Sequence, residues 1–206
     1  MATTASPYGL VPVNLTGGIP FAGSTRMFPL ASNYATSIFF GDVVKLVNDG
    51  TIAKDTGTSA LTPIGVFMGC NYMDATYGPT FRQMYTANTV PANSTLTIAY
   101  VCDDPNDVFK IQGSASMTQT MLFNNAAVVQ GSGVTTSGNS GVTLDVSSVN
   151  TTDTLPLRIM GWAGNNVTPG IAAGIPQECI APSDAFPDVL VRWNFGMHRY
   201  QVALGV

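Results

Sequence analysis

Side chains able to do acid–base or nucleophilic chemistry are few in this chain and lie far apart in sequence. His198 is the only histidine, Glu178 is the only glutamate, and charged residues make up 10% of the 206 residues. A Ser–His–Asp or Cys–His device would have to use His198, and no Gly-x-Ser-x-Gly motif supports one. We therefore expect His198 to be packed at a surface or an interface, and we expect the protein not to be an enzyme.

The densest acidic cluster is the run DDPND at 103–107. Hard cations such as Ca²⁺ take oxygen ligands at such spacing, which makes Asp103, Asp104 and Asp107 weak candidates for a metal site. The run lacks the length, the central glycine and the terminal glutamate of an EF-hand loop, and Asp, Asn and Pro also build ordinary turns. We expect a turn between two strands, with neither a metal ion nor a cofactor.

The three cysteines are Cys70, Cys102 and Cys179. Their number is odd and no two are close in sequence, which favours reduced, mostly buried thiols in a protein made in a cytoplasm. A single disulfide is the alternative. We expect Cys70 and Cys102 to lie inside strands.

The composition indicates an all-β fold of jelly-roll or sandwich type. Typical soluble proteins have about 25% charged residues; here Thr, Ser, Asn and Gly replace Glu and Lys, which favours strands and turns over exposed helices. The net charge is −4 with no basic cluster, so we expect no direct binding to nucleic acid, and no apolar run is long enough for a membrane helix. The mean hydropathy of +0.22 predicts a homo-oligomer, in which part of the apolar surface is buried against other copies of the chain.

Seven segments are predicted as strands, and the clearest is a hairpin around Asn48-Asp49-Gly50, because Asp-Gly suits a tight turn. Residues 117–129 are the only plausible helix. The segment at 61–69 resembles the one at 154–161, which indicates either two similar β halves or a chance likeness of short apolar strands. The predicted strand regions are 38–54 (the hairpin), 63–70 (buried on both faces), 95–101, 108–111, 142–146, 155–162 and 188–195.

Residues 1–36 are predicted to form an extended N-terminal arm, and residues 37–206 the β domain, with a subdivision considered near 113–141. Four prolines and four glycines interrupt any long element in the arm. Its separated apolar residues indicate anchors that dock on a neighbouring protein or a sister subunit; the alternative is that the arm folds back as an edge strand. The candidate interface residues are Tyr8, Leu10, Val11, Val13, Leu15 and Phe21.

Several segments resemble small structural proteins of tailed double-stranded-DNA bacteriophages that decorate or cement the capsid. They are GDVVKLVNDGTI at 41–52, PIGVF at 63–67, PYGL at 7–10, FAGSTR at 21–26 and TLPLR at 154–158. The resemblance implies an all-β, often trimeric protein on the outer surface of the virion. It would be made in the host bacterial cytoplasm, bind the major capsid protein and stabilise the head without catalysis.

Three other functions are compatible with the sequence. The first is another virion component, such as a tail or fibre protein, although the repeats and coiled coils typical of fibres are missing. The second is a carbohydrate-binding β-sandwich module, with calcium assistance from the acidic run. The third is a hydrolase built on a β fold.

Overall fold

The computed structural model describes residues 4–163, 180–203 and 205, and it confirms the all-β fold. Twelve strands form two six-stranded sheets. The first, here called the open sheet, has the order β1-β8-β12-β11-β9-β10, and the second, the closed sheet, has the order β3-β4-β2-β7-β5-β6. The strands are β1 Val11–Leu15, β2 Arg26–Leu30, β3 Val43–Leu46, β4 Ile52–Lys54, β5 Gly65–Asp74, β6 Gly78–Arg82, β7 Thr97–Cys102, β8 Asp107–Gln112, β9 Asn125–Val129, β10 Thr143–Asn150, β11 Leu157–Trp162 and β12 Asp188–Trp193.

The two sheets differ in topology. Every pairing in the open sheet is antiparallel. The closed sheet contains one parallel pairing, between β2 and β4. An additional pairing of β3 with β5 closes the five strands β3, β4, β2, β7 and β5 into a ring. Strand β6 lies outside this ring and pairs with β5 alone. The two halves of the molecule are therefore not copies of one arrangement.

Two apolar clusters hold the fold together. One lies inside the closed sheet and includes Leu30, Phe67 and Tyr85. The other lies between the sheets, where Val66 and Cys102 of the closed sheet pack with residues of the open sheet such as Trp193. Strand β5 contributes to both clusters, which confirms the prediction that it is buried on both faces.

The hairpin predicted at 48–50 is confirmed between β3 and β4. Gly50 has a φ of +83°, which a residue with a side chain rarely adopts. The backbone and hydroxyl of Thr51 donate hydrogen bonds to Asp49 Oδ1 at 2.9 and 2.7 Å. Asp49 and Gly50 therefore form the tight turn that their chemistry predicts.

The structure differs from the predicted N-terminal arm, because two of its segments are strands of the protein's own sheets. Val11–Leu15 pairs with β8, and Arg26–Leu30 pairs with β7 and β4. The change from the closed to the open sheet falls between Cys102 and Asp107, ahead of the segment 113–141 that the sequence suggested as a subdivision. Pairing between strands that are distant in sequence decides both the fold of residues 1–36 and the place where the chain changes sheets. The spacing of prolines does not reveal such pairing.

The helix predicted over 117–129 is wrong. A short 3-10 turn occupies Gln119–Met121, and Asn125–Val129 is strand β9 between β10 and β11. Residues 126–128 are buried at consecutive positions, because β9 is covered on both faces of its sheet.

A buried carboxylate fixes the glycine-rich loop at 130–141 to the closed sheet. Asp42 is fully buried and accepts hydrogen bonds from the Lys54 ammonium at 2.8 Å, the Ser140 hydroxyl at 2.6 Å and the Phe39 N–H at 2.8 Å. An ionised carboxylate is costly to bury unless it is paired in this way. The end of this loop at Ser140 therefore lies in the interior.

Candidate interaction surface

The three acidic candidates for a metal site have separate structural roles. Asp103 forms an ion pair with Arg26 at 3.3 Å and accepts a hydrogen bond from the Tyr200 hydroxyl at 2.7 Å. Asp104 Oδ1 accepts the N–H of Asn106 at 2.8 Å, which closes the predicted turn. Within the described residues, no group of three or more His, Cys, Asp or Glu side chains is arranged to hold a metal ion.

The third of these carboxyls, Asp107, is buried and forms a pair with a buried thiol. Cys102 Sγ lies 2.6 Å from Asp107 Oδ2, and both residues are almost fully buried. Burial raises the pKa of the Asp107 carboxyl and raises the pKa of the Cys102 thiol still further from its usual range. A thiol held protonated is a poor nucleophile, so this pair serves packing rather than chemistry.

Cys70 and Cys102 are free and buried inside β5 and β7, as predicted. Burial raises the pKa of Cys70 to about 12. Cys179 lies outside the described residues.

The predicted anchors of the N-terminal arm are mostly occupied within the protein. Leu10 is fully buried and Phe21 packs against the core between the sheets. Val11, Val13 and Leu15 lie half-buried on β1, whose outer edge is covered at 13–15 by hydrogen bonds with 19–21. Tyr8 is half-buried, with its ring 5.0 Å from the Lys110 ammonium, and burial together with the Asp188 carboxylate raises its pKa.

A group of exposed apolar side chains lies instead on the outer side of the closed sheet. We call it the apolar face; the strand register places its members on the same side of neighbouring strands, apart from Leu96, which precedes β7 and lies beside Ile98. Met27, Phe81 and Leu96 are 68%, 61% and 60% exposed. The six residues of the apolar face are Met27, Pro29, Phe81, Leu96, Ile98 and Tyr100.

Gly69 shapes the centre of the apolar face. It has a φ of +136° at a bulge in β5, and a Cβ atom there would lie 2.6 Å from the ring of Phe81. The absence of a side chain lets Phe81 lie across β5 and approach Tyr100, with ring centroids 5.9 Å apart. Such tilted aromatic pairs form a stiff surface that loses little freedom when it is covered.

The apolar face continues a surface that is covered elsewhere in the molecule. Ile98, Tyr100 and Cys102 share one side of β7 because side chains alternate, and Leu96, directly before the strand, lies beside Ile98 on that side. Cys102, at one end, is fully buried in the core between the sheets, whereas Leu96 at the other end is mostly exposed. The open sheet therefore covers only part of this surface.

The C-terminal segment lies beside the apolar face. The Tyr200 ring sits 5.4 Å from the guanidinium of Arg26, the residue before Met27, and the Arg199 N–H donates to the Pro63 carbonyl at 2.8 Å. His198 is fully buried below this segment, and its Nδ1 accepts the Tyr200 N–H at 3.3 Å.

Burial lowers the pKa of His198, against the opposing influence of the Asp103 and Asp104 carboxylates. The sequence predicted that His198 is packed at a surface or an interface, whereas the structure has it in the interior of the protein.

The apolar face was not predicted from the sequence. The signal was present in the run TLTIAYV at 95–101, where both alternating sets of side chains contain apolar residues. Such a strand needs cover on two sides. Which part of it lacks cover depends on the extent of the open sheet, which no local pattern shows.

No helix in the described part of the chain is long and apolar enough to cross a membrane. Comparisons of the chain with protein-family models, with curated proteins and with solved structures find no match.

Proposed function

We propose that this protein is a non-catalytic structural protein of a virion, which binds the outer surface of a tailed-phage capsid as a homotrimer and stabilises the head. The phage resemblance of the segments at 7–10, 21–26, 41–52, 63–67 and 154–158 gives the proposal its direction. On this proposal the protein is made in the host bacterial cytoplasm, and its partners are the major capsid protein and other copies of itself.

The apolar face is the single observation that carries the proposal. Water-exposed apolar patches on a folded protein mark surfaces that meet another molecule. Here the exposed patch is built on strands of a closed sheet, so its shape is set before any partner arrives. That arrangement suits a permanent contact between subunits.

Covering the apolar face would supply free energy for assembly. Each well-buried side chain of the apolar face contributes about 1.5–3 kcal/mol before ordering costs. Met27, Phe81 and Leu96 together supply several such contacts. A symmetric trimer then repeats its capsid contacts, which gives high avidity from individually weak interactions.

Residues 1–36 have a smaller part in this proposal than the sequence suggested. The half-buried Val11 and Val13 on the edge strand β1 remain candidates for contact with the capsid protein. The fully buried Leu10 is not available for such a contact. Docking through the N-terminal segment stays a prediction.

Immunogold electron microscopy of phage particles from a host lysate tests the proposal. An antibody raised against the purified protein should label the outside of heads in a regular pattern. Label confined to tails or fibres would assign the protein to another virion component. Particles that remain unlabelled, with the protein free in the lysate, would overturn the proposal.

A further inference from the structure

A cleft on the outer face of the open sheet brings two arginines side by side. Arg158 of β11 and Arg192 of β12 are directly opposed in the antiparallel pairing. Residues in such positions have Cβ atoms about 4.5–5.5 Å apart, and like charges there repel each other. The cleft has a volume of about 280 Å³, and Met160, Asn194 and Phe195 also line it.

Two buried amides hold the guanidinium of Arg158 in place. Asn125 Oδ1 accepts a hydrogen bond from Arg158 Nε, and Asn194 Oδ1 accepts one from Nη2 at 3.5 Å. Asn125 is 1% exposed and Asn194 is 6% exposed. These bonds use two of the five N–H donors of the guanidinium, so three remain for a ligand.

The two amides are themselves anchored to the turn between β10 and β11. Asn125 Nδ2 donates to the Thr152 carbonyl at 2.8 Å, and Asn194 Nδ2 donates to the carbonyls of Asp153 and Leu155 at 2.8 and 3.0 Å. Arg158 is thus oriented by neutral groups that have no freedom to turn away. Such an arrangement positions the charge without neutralising it.

Arg192 likewise has no negative partner among the residues that the structure describes. Its Nε donates to the Trp193 carbonyl at 3.3 Å. The ion pairs among the described residues join Arg26 to Asp103, Lys54 to Asp42 and Lys110 to Asp188, and none involves either arginine of the cleft. The cleft therefore holds two positive charges whose mutual repulsion an anion would relieve.

An aromatic ring stands at the rim of the same cleft. Phe195 follows Asn194 directly, and its side chain is 84% exposed. Its N–H donates to Asn194 Oδ1 at 3.0 Å, so the amide that orients Arg158 also fixes the backbone that carries the ring. A flat apolar surface thus adjoins the two guanidinium groups.

We infer that this cleft binds an oxyanion, a carboxylate or phosphate group carried on a flat apolar body. The planar forks of Arg158 and Arg192 match the oxygens of such a group. Phe195 packs against the body. The ligand is either a free small molecule or an anionic group displayed by a partner, since both present the same chemistry.

Titration with phenyl phosphate, followed by calorimetry and by NMR of the arginine Nε–H signals, tests the site. Arg158→Gln and Arg192→Gln should each weaken binding by about tenfold or more, because each removes a charge-assisted contact. Arg82→Gln, which changes an exposed arginine on β6, is the matched control and should leave the affinity unchanged. Equal affinity in all three variants, or unmoved Arg158 and Arg192 signals, would overturn the inference.

Two further probes define the ligand. Inorganic phosphate lacks the apolar body and should bind more weakly than phenyl phosphate, whereas equal binding would remove Phe195 from the site. An acetylated peptide ending in Phe-Asp tests a group displayed by a partner. If the peptide binds more tightly than phenyl phosphate the source is a partner, and if it binds less tightly the source is a free molecule.

Thermal unfolding gives an independent readout. At low ionic strength Arg192→Gln should raise the unfolding temperature, because it removes the repulsion across β11 and β12. Phosphate should raise the unfolding temperature of the wild type more than that of this variant. The opposite order for either comparison would contradict an uncompensated arginine pair.

Discussion

The outer face of the closed sheet exposes more than half of Met27, Phe81 and Leu96, whereas the outer face of the open sheet presents Arg158 and Arg192. The first surface can gain free energy only by leaving water, so it needs a broad partner that covers it. The second gains free energy through oriented charge and can take a small ligand. The same twelve-stranded fold thus offers two surfaces with different physical requirements.

The largest effect is expected from placing a charge on the apolar face. In the proposed oligomer Phe81 is covered by another subunit, so the carboxylate of Phe81→Glu should weaken association by more than about 100-fold. Phe123→Glu is the matched control because Phe123 is 65% exposed, close to the 61% of Phe81. Light scattering over a concentration series should show a smaller particle for Phe81→Glu alone.

Two results would count against this assignment. Equal loss of association in the control would mean that any added negative charge disrupts the assembly. An unchanged oligomer in Phe81→Glu would mean that the subunits meet elsewhere.

The next largest effect is expected from ionic strength, to which binding at the arginine cleft and association through the apolar face should respond differently. Raising NaCl from about 0.05 M to about 0.5 M should weaken phenyl phosphate binding by about tenfold, since salt screens exposed charges. Self-association through the apolar face should change by less than about twofold. Calorimetry and light scattering on the same samples would measure both, and an oligomer that dissociates in salt would reveal a charged interface.

The sequence was sufficient for features that depend on local chemistry. Asn48-Asp49-Gly50 predicted the β3–β4 turn because Gly50 supplies the positive φ and Asp49 the capping oxygen. The alternating and β-branched runs predicted most strands. The acidic run at 103–107 predicted a turn, with Asp104 as its hydrogen-bond acceptor.

Features that depend on distant partners were not accessible in the same way. Val11–Leu15 becomes a strand because β8, about a hundred residues later, pairs with it. Arg158 and Arg192 are neighbours only through the register of β11 and β12. The spacing of apolar residues along the chain does not show which strands pair or in which register. Neither the cleft nor the uncovered part of β7 could therefore be predicted from the sequence.

A smaller effect is expected from pH, through the segment beside the apolar face. Burial lowers the pKa of His198 in the folded protein, so the unfolded chain binds a proton first as the pH falls below about 6.5. The free energy of unfolding should therefore decrease from pH 6.5 downwards until the folded-state pKa is reached. Urea unfolding of His198→Gln should lack this decrease.

Asp107 changes the stability with pH in the opposite direction to His198. The wild type must therefore be compared with His198→Gln. Its pKa is raised in the folded state, so its favourable contribution is present at low pH and is lost as the pH rises through the folded-state pKa. The difference in the free energy of unfolding between the wild type and His198→Gln isolates the contribution of the histidine. A pH-independent difference would show that His198 does not titrate in this way.

Methionine oxidation tests most directly whether the apolar face is buried in the assembly. Met27 is 68% exposed in the single chain, whereas Met160 in the arginine cleft is half-buried. With peroxide and peptide mass spectrometry, Met27 should be found to oxidise more slowly than Met160 in the assembled wild type. The order should reverse in Phe81→Glu. Faster oxidation of Met27 than of Met160 in the wild type at every concentration would contradict assembly through the apolar face.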